Sequence, residues 1–149
     1  MRATARARGS DRATAVRVGR ALLARPLPAQ LTQVRCEKSA GHRICGLVVS
    51  GVKFKHRLDR PGFLAEVQQL IEGAFAAAPL EEVDLWTTVP LGTGKGAVVS
   101  GDLAVATSAT VFAITVPHAA LAQLNGQLES GRDVYWDSVF ADSLAKETL

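Results

Sequence analysis

Acidic residues are almost missing from the first 35 positions, where Asp11 stands alone against Arg2, Arg6, Arg8, Arg12, Arg17, Arg20, Arg25 and Arg35. The whole chain has a formal net charge of +3, so this +7 segment leaves the remainder at −4. The basic isoelectric point therefore belongs to one end and is no argument for a nucleic-acid-binding fold. Long apolar runs are lacking as well: nothing approaches the roughly 18 apolar residues of a membrane helix. The apolar run Ala21-Leu22-Leu23-Ala24 is cut by Arg25 and Pro26, too short for a secretory signal core. Neither a membrane partner nor export is expected, and the expected location is cytoplasmic. With 2 cysteines in 149 residues, a disulfide-dense scaffold is excluded. Aromatic residues are only 5% of the chain, and Thr110-Val111-Phe112-Ala113-Ile114-Thr115-Val116 lacks the pattern of a base-stacking sheet, so no nucleic-acid partner is expected either.

What is present is ample apolar material, 48% of the chain, in periodic blocks. Residues 1–35 read as a basic, disordered leader outside the core, a composition shared by targeting segments and by polyanion-binding arms. Residues 36–149 read as one α+β domain. The run from Ile44 to Lys55 predicts a strand, with Ile44, Val48, Val52 and Phe54 on the buried face. Phe63, Leu64, Val67, Leu70, Ile71, Ala74, Phe75 and Ala78 recur at helical steps, with Glu66, Gln68, Gln69 and Glu72 opposite. Asp59 suits the cap of that helix, Pro61 its first turn, and Pro79 its end.

Val83, Leu85, Thr87 and Val89 alternate with Asp84, Trp86 and Thr88, which predicts a second strand. Residues 98–107 form a weaker one, and Thr110 to Val116 a firmer one around Phe112, Ile114 and Val116. A short helix with Leu121, Leu124 and Leu128 follows, ended by Ser130-Gly131. An edge strand Val134-Tyr135-Trp136 and a C-terminal helix from Asp137 to Lys146 complete the chain. With the weak strand counted as part of an insertion over residues 91–108 between the central strands, the order is βαββαβ. That predicts an α+β, ferredoxin-like sandwich.

One turn carries a motif. Leu58-Asp59-Arg60-Pro61-Gly62-Phe63-Leu64 leads into Ala65-Glu66-Val67, and this resembles the ACT domain, a small ligand-binding regulatory module of βαββαβ topology. The resemblance implies a ligand site at Asp59, Arg60, Pro61, Gly62, Phe63 and Leu64, with the Gly62 and Phe63 amides facing the carboxylate of an amino acid. The same residues also make a purely structural helix entry.

Other groupings carry less chemistry. Cys36, His42, Cys45 and His56 have a spacing outside the usual zinc patterns, so no metal site is expected. The cysteines read as free thiols, the alternative being a Cys36–Cys45 disulfide that closes a short loop at the start of the first strand and requires an oxidising compartment. Gly92-Thr93-Gly94-Lys95-Gly96 lacks the Ser/Thr after Lys that a phosphate loop needs. Glu81, Glu82 and Asp84 read as a solvated strand edge, and His118 as a surface residue. No nucleophile has an identifiable base, so no catalytic residues and no cofactor are expected. The expectation is a non-enzymatic regulatory or binding module for an amino acid or similar small carboxylate, able to form a homo-oligomer through its sheet. The alternatives are a protein-interaction or assembly component and, behind it, a small metal protein or enzyme.

Overall fold

The computed structural model describes residues 2–25, 29–54, 59–90 and 108–146. Helix α1 (Arg2–Leu23) precedes strands β1 (Ala29–Ser39) and β2 (His42–Phe54). Helix α2 (Arg60–Ala77), β3 (Glu82–Pro90) and β4 (Ser108–Pro117) follow. A 3₁₀ turn (His118–Gln123), α3 (Leu124–Ser130), β5 (Val134–Trp136) and α4 (Ser138–Lys146) close the chain. The weak strand and the glycine cluster expected between β3 and β4 lie outside the described residues.

The class is α+β, with one five-stranded sheet in the order β1-β2-β3-β4-β5. Among the described residues, β2 and β3 are the one parallel pair. A parallel pair needs a crossover, and α2 supplies it. This differs from the expected ferredoxin-like arrangement, in which another strand separates the two strands of a βαβ unit and the last strand returns beside the first. Among the described residues, every strand lies next to its sequence neighbour.

The leader expectation also changes. α1 buries Thr14, Val18 and Leu22 at intervals of one turn, and Arg43 on β2 reaches it through Thr14 Oγ1 at 2.9 Å and Asp11 at 3.4 Å. β1 carries the boundary expected at residue 35 in its interior. It pairs with β2 through a two-residue turn, Ala40-Gly41, in which both residues have positive φ (51° and 83°), the geometry that matches hairpin twist.

In β2 the buried apolar side chains are Cys45, Leu47 and Val49, while Ile44 and Val48 lie on the other face, partly exposed; the side chains of Val52 and Phe54 are outside the described ones. That reverses the expected face. The run is apolar on both sides, so alternation alone does not select which side meets the helices. In β3, by contrast, Val83, Leu85 and Thr87 are buried as their spacing predicts. α2 buries Phe63, Val67, Leu70, Ile71 and Ala74 as expected, and also Glu66, assigned above to the solvent face. Gly73 lets α1 approach, since a Cβ there would sit 2.8 Å from Leu22 Cδ2.

A ring cluster closes the core at the start of α2. Phe63 meets Phe112 of β4 at 5.1 Å, Trp136 of β5 at 5.6 Å and Phe140 of α4 at 5.4 Å between ring centroids. Edge and tilted contacts of this kind add roughly 1 kcal/mol per pair to the burial itself. The cluster pins α2, α4 and the β4–β5 edge to one face of the sheet, and α1 reaches that face through Gly19 and Val34.

Candidate ligand site at the start of helix α2

The expected site is a helix entry, and its geometry follows from three residues. Asp59 has extended backbone (φ −86°, ψ −179°), and its Oδ1 accepts a hydrogen bond from the Gly62 amide at 2.8 Å. Its carbonyl accepts from the Phe63 amide at 2.9 Å. Pro61 brings no N–H. The two amides that the resemblance aims at a ligand carboxylate are thus engaged by Asp59 itself, which is how an N-cap satisfies a helix start. The Phe63 side chain is buried in the ring cluster, and Gly62 is partly buried.

The remaining residues of the motif do gather at a cavity. Arg60, Pro61 and Leu64, with Ala65 and Gln68, form one wall of a groove of about 330 Å³, and Asn125, Leu128 and Glu129 of α3 form the other. The Arg60 guanidinium carbon lies 4.9 Å from the centroid of the Trp136 ring, a cation–π contact that holds the charge over that ring. The groove therefore combines one cation (Arg60), one anion (Glu129), two amides (Gln68, Asn125) and an apolar floor (Leu64, Leu128). Asp59, Gly62 and Phe63 do not line it.

The α3 residues are the part that sequence reasoning missed. Asn125 and Glu129 stand four apart, one turn along a short helix, a signal that they share a face. Nothing local says that this face meets α2. A wider recess of about 420 Å³, lined among others by Thr115, Gln123, Gln127, Arg132 and Asp133, lies between β4 and α3. It contains none of the residues of the motif.

The other candidate groups resolve differently. Cys36 and Cys45 are register partners in the β1–β2 ladder and are joined by a disulfide, so the free-thiol expectation does not hold and neither sulfur is a metal ligand. His42 points toward Glu81 at 3.9 Å, and His56 is outside the described residues. Glu82 and Asp84, two apart on β3, share the sheet face that the helices leave open. The Glu82 carboxyl is raised above its ordinary value, first by a hydrogen bond with Asp84, then by burial, then by the Asp84 charge. His118 is exposed beside the Phe75 ring at 5.5 Å.

That open face also carries Ile44, Gly46 and Val48 of β2, Trp86 of β3, Ala113 of β4 and Tyr135 of β5. Trp86 lies across Gly46, where a Cβ would come within 2.7 Å of its ring. Compared with known proteins, the chain matches no family model, no curated protein and no solved structure.

Proposed function

We propose that this protein is a non-enzymatic binding module that holds a small zwitterion, an amino acid or a close analogue, in the groove between α2 and α3. What carries the reading is that one groove is lined by a cation, Arg60, on its α2 side and an anion, Glu129, on its α3 side, with Leu64 and Leu128 among the other lining residues. A ligand carboxylate would meet the guanidinium and an ammonium would meet the Glu129 carboxylate, while Leu64 and Leu128 accept the side chain. This keeps the ligand class implied by the ACT resemblance and moves it from the helix-start amides to the neighbouring groove. A thermal-shift screen of the free amino acids tests it, because a ligand that binds only the folded state raises its melting temperature. A stabilising amino acid whose effect is lost in Arg60→Gln and in Glu129→Gln is the expected result. No stabilising amino acid, or one that depends on Arg132 instead, rejects the site.

A role in protein assembly has its own support. The open sheet face exposes Trp86 (38%) and Tyr135 (51%) beside Ile44 and Val48, and large aromatics on a flat face are the usual centre of a protein contact. Sedimentation of the full chain and of Trp86→Ser separates this reading from the first. A self-associated wild type that the substitution makes monomeric supports it, and a monomeric wild type removes the homo-oligomer.

The cytoplasmic expectation meets a counter-argument in the Cys36–Cys45 bond, since such bonds persist mainly in oxidising compartments.

A further inference from the structure

The outward face of α1 has no role in either reading. Thr14, Val18 and Leu22 turn inward, and Asp11, the lone acid of the segment, turns toward Arg43. Facing solvent are Arg12, Val16 and Arg20, one turn apart, flanked by Arg17 and Leu23. Among the described residues, no ion pair neutralises any of these three arginines. Val16 is 46% exposed and Leu23 69%, two large aliphatic side chains in water on a helix whose apolar seam is already buried elsewhere.

The combination selects a partner. Fixed cations on a rigid helix attract any polyanion, but a nucleic-acid backbone offers nothing apolar to Val16 and Leu23. The boundary between headgroups and acyl chains of an anionic bilayer accepts both kinds of group. Guanidinium groups meet lipid phosphates there, while their methylene stems and the aliphatic side chains enter the interface. We infer that the outward face of α1 docks this domain on an anionic lipid surface. No helix among the described residues is long and apolar enough to cross a membrane, and peripheral docking requires none. It does revise the expectation that the chain has no membrane partner. Because α1 is already folded against β1 and α2, its ordering is complete before the surface is met.

Co-sedimentation of the full chain with vesicles tests this. The protein is expected to bind phosphatidylcholine vesicles that contain phosphatidylserine, to ignore vesicles of phosphatidylcholine alone, and to dissociate as salt is raised. Each arginine near such a surface is worth about a fivefold change in affinity, so Arg12→Gln/Arg17→Gln/Arg20→Gln should lose roughly a hundredfold. Val16→Ser/Leu23→Ser should also weaken binding, with the melting temperature and circular dichroism of both variants held at wild-type values. Wild-type protein that ignores the anionic vesicles overturns the inference. So does vesicle binding indifferent to Val16→Ser/Leu23→Ser, or tighter binding to double-stranded DNA than to the vesicles, which would make the face a nucleic-acid surface.

Discussion

Asp59 Oδ1 accepts the Gly62 amide at 2.8 Å, and so the carboxylate at the start of α2 belongs to the chain itself. Asp137 does the same for α4, where its Oδ2 accepts the Phe140 amide at 2.9 Å. Both caps set an aromatic residue into one ring cluster: Phe63 follows the first, and Phe140 the second. Capping and core assembly are therefore coupled at this end of the molecule.

Asp59→Ala should cost about 1 kcal/mol of stability, the usual worth of an N-cap, and Asp59→Asn much less. Urea denaturation measures both. If the ligand groove is the one beside Arg60, Asp59→Ala leaves an amino-acid response in place. If the ligand uses the Gly62 amide, removing the carboxylate that occupies it strengthens the response, while the Phe63 amide stays bonded to the main-chain carbonyl of residue 59.

Reduction of the Cys36–Cys45 bond, or Cys36→Ser/Cys45→Ser, should lower stability by roughly 2–3 kcal/mol, because the bond closes a short loop in the unfolded chain. Urea midpoints with and without reductant give the difference. Alkylation of unreduced, denatured protein followed by mass measurement should find no free thiol.

Ala40 holds φ at 51°, a region that an alanine side chain disfavours. Ala40→Asn or Ala40→Gly should stabilise the β1–β2 hairpin by roughly 0.5–1 kcal/mol, since both residues populate this turn conformation readily. An unchanged or lowered urea midpoint would contradict this turn geometry.

The raised Glu82 carboxyl implies a direction with pH. A group whose folded pKa lies above its unfolded one contributes stability that is fully present below the ordinary value, 4.5, and is lost as pH rises through the folded value. Glu82→Gln keeps a donor for Asp84 and should remove that loss, so the variant gains on wild type as pH rises from 4.5 toward neutrality. Urea midpoints along a pH series decide; a constant difference between the two proteins would contradict it.

Gly46→Ala should push the Trp86 ring away from β2 and into solvent, because a Cβ would lie 2.7 Å from Cζ3. The fluorescence emission should shift to the red with only a small loss of stability, as the ring is already partly exposed. Gly73→Val is the contrasting case: Leu22 is buried and cannot swing out, so overpacking should cost about 1–3 kcal/mol.

Legibility followed the range of the interaction that decided each feature. The limits of α2 were readable because Asp59, Pro61 and Pro79 act within a turn of their own positions. The face of β3 was readable because Asp84 and Trp86 alternate with Val83 and Leu85. The face of β2 was not, since Ile44 and Leu47 are both acceptable to a core. Half of the candidate groove was within reach through Arg60, Pro61 and Leu64. Asn125 and Glu129 were out of reach, because their relation to Arg60 exists only once α3 has packed beside α2.

Taken alone, the sequence determined the α+β class, the capped amphipathic helix, the alternation of β3 and β4, and the separation of a basic end from an acidic body. Caps, turns and periodicity act over a few residues and need no partner. Tertiary structure decided that α1 and β1 belong to the fold, that Cys36 meets Cys45, and that the strands run in sequence order. It also brought Arg60, Pro61 and Leu64 into one groove with Asn125, Leu128 and Glu129. Each of these depends on which of several acceptable apolar surfaces pack together, and that choice is made by the whole core at once.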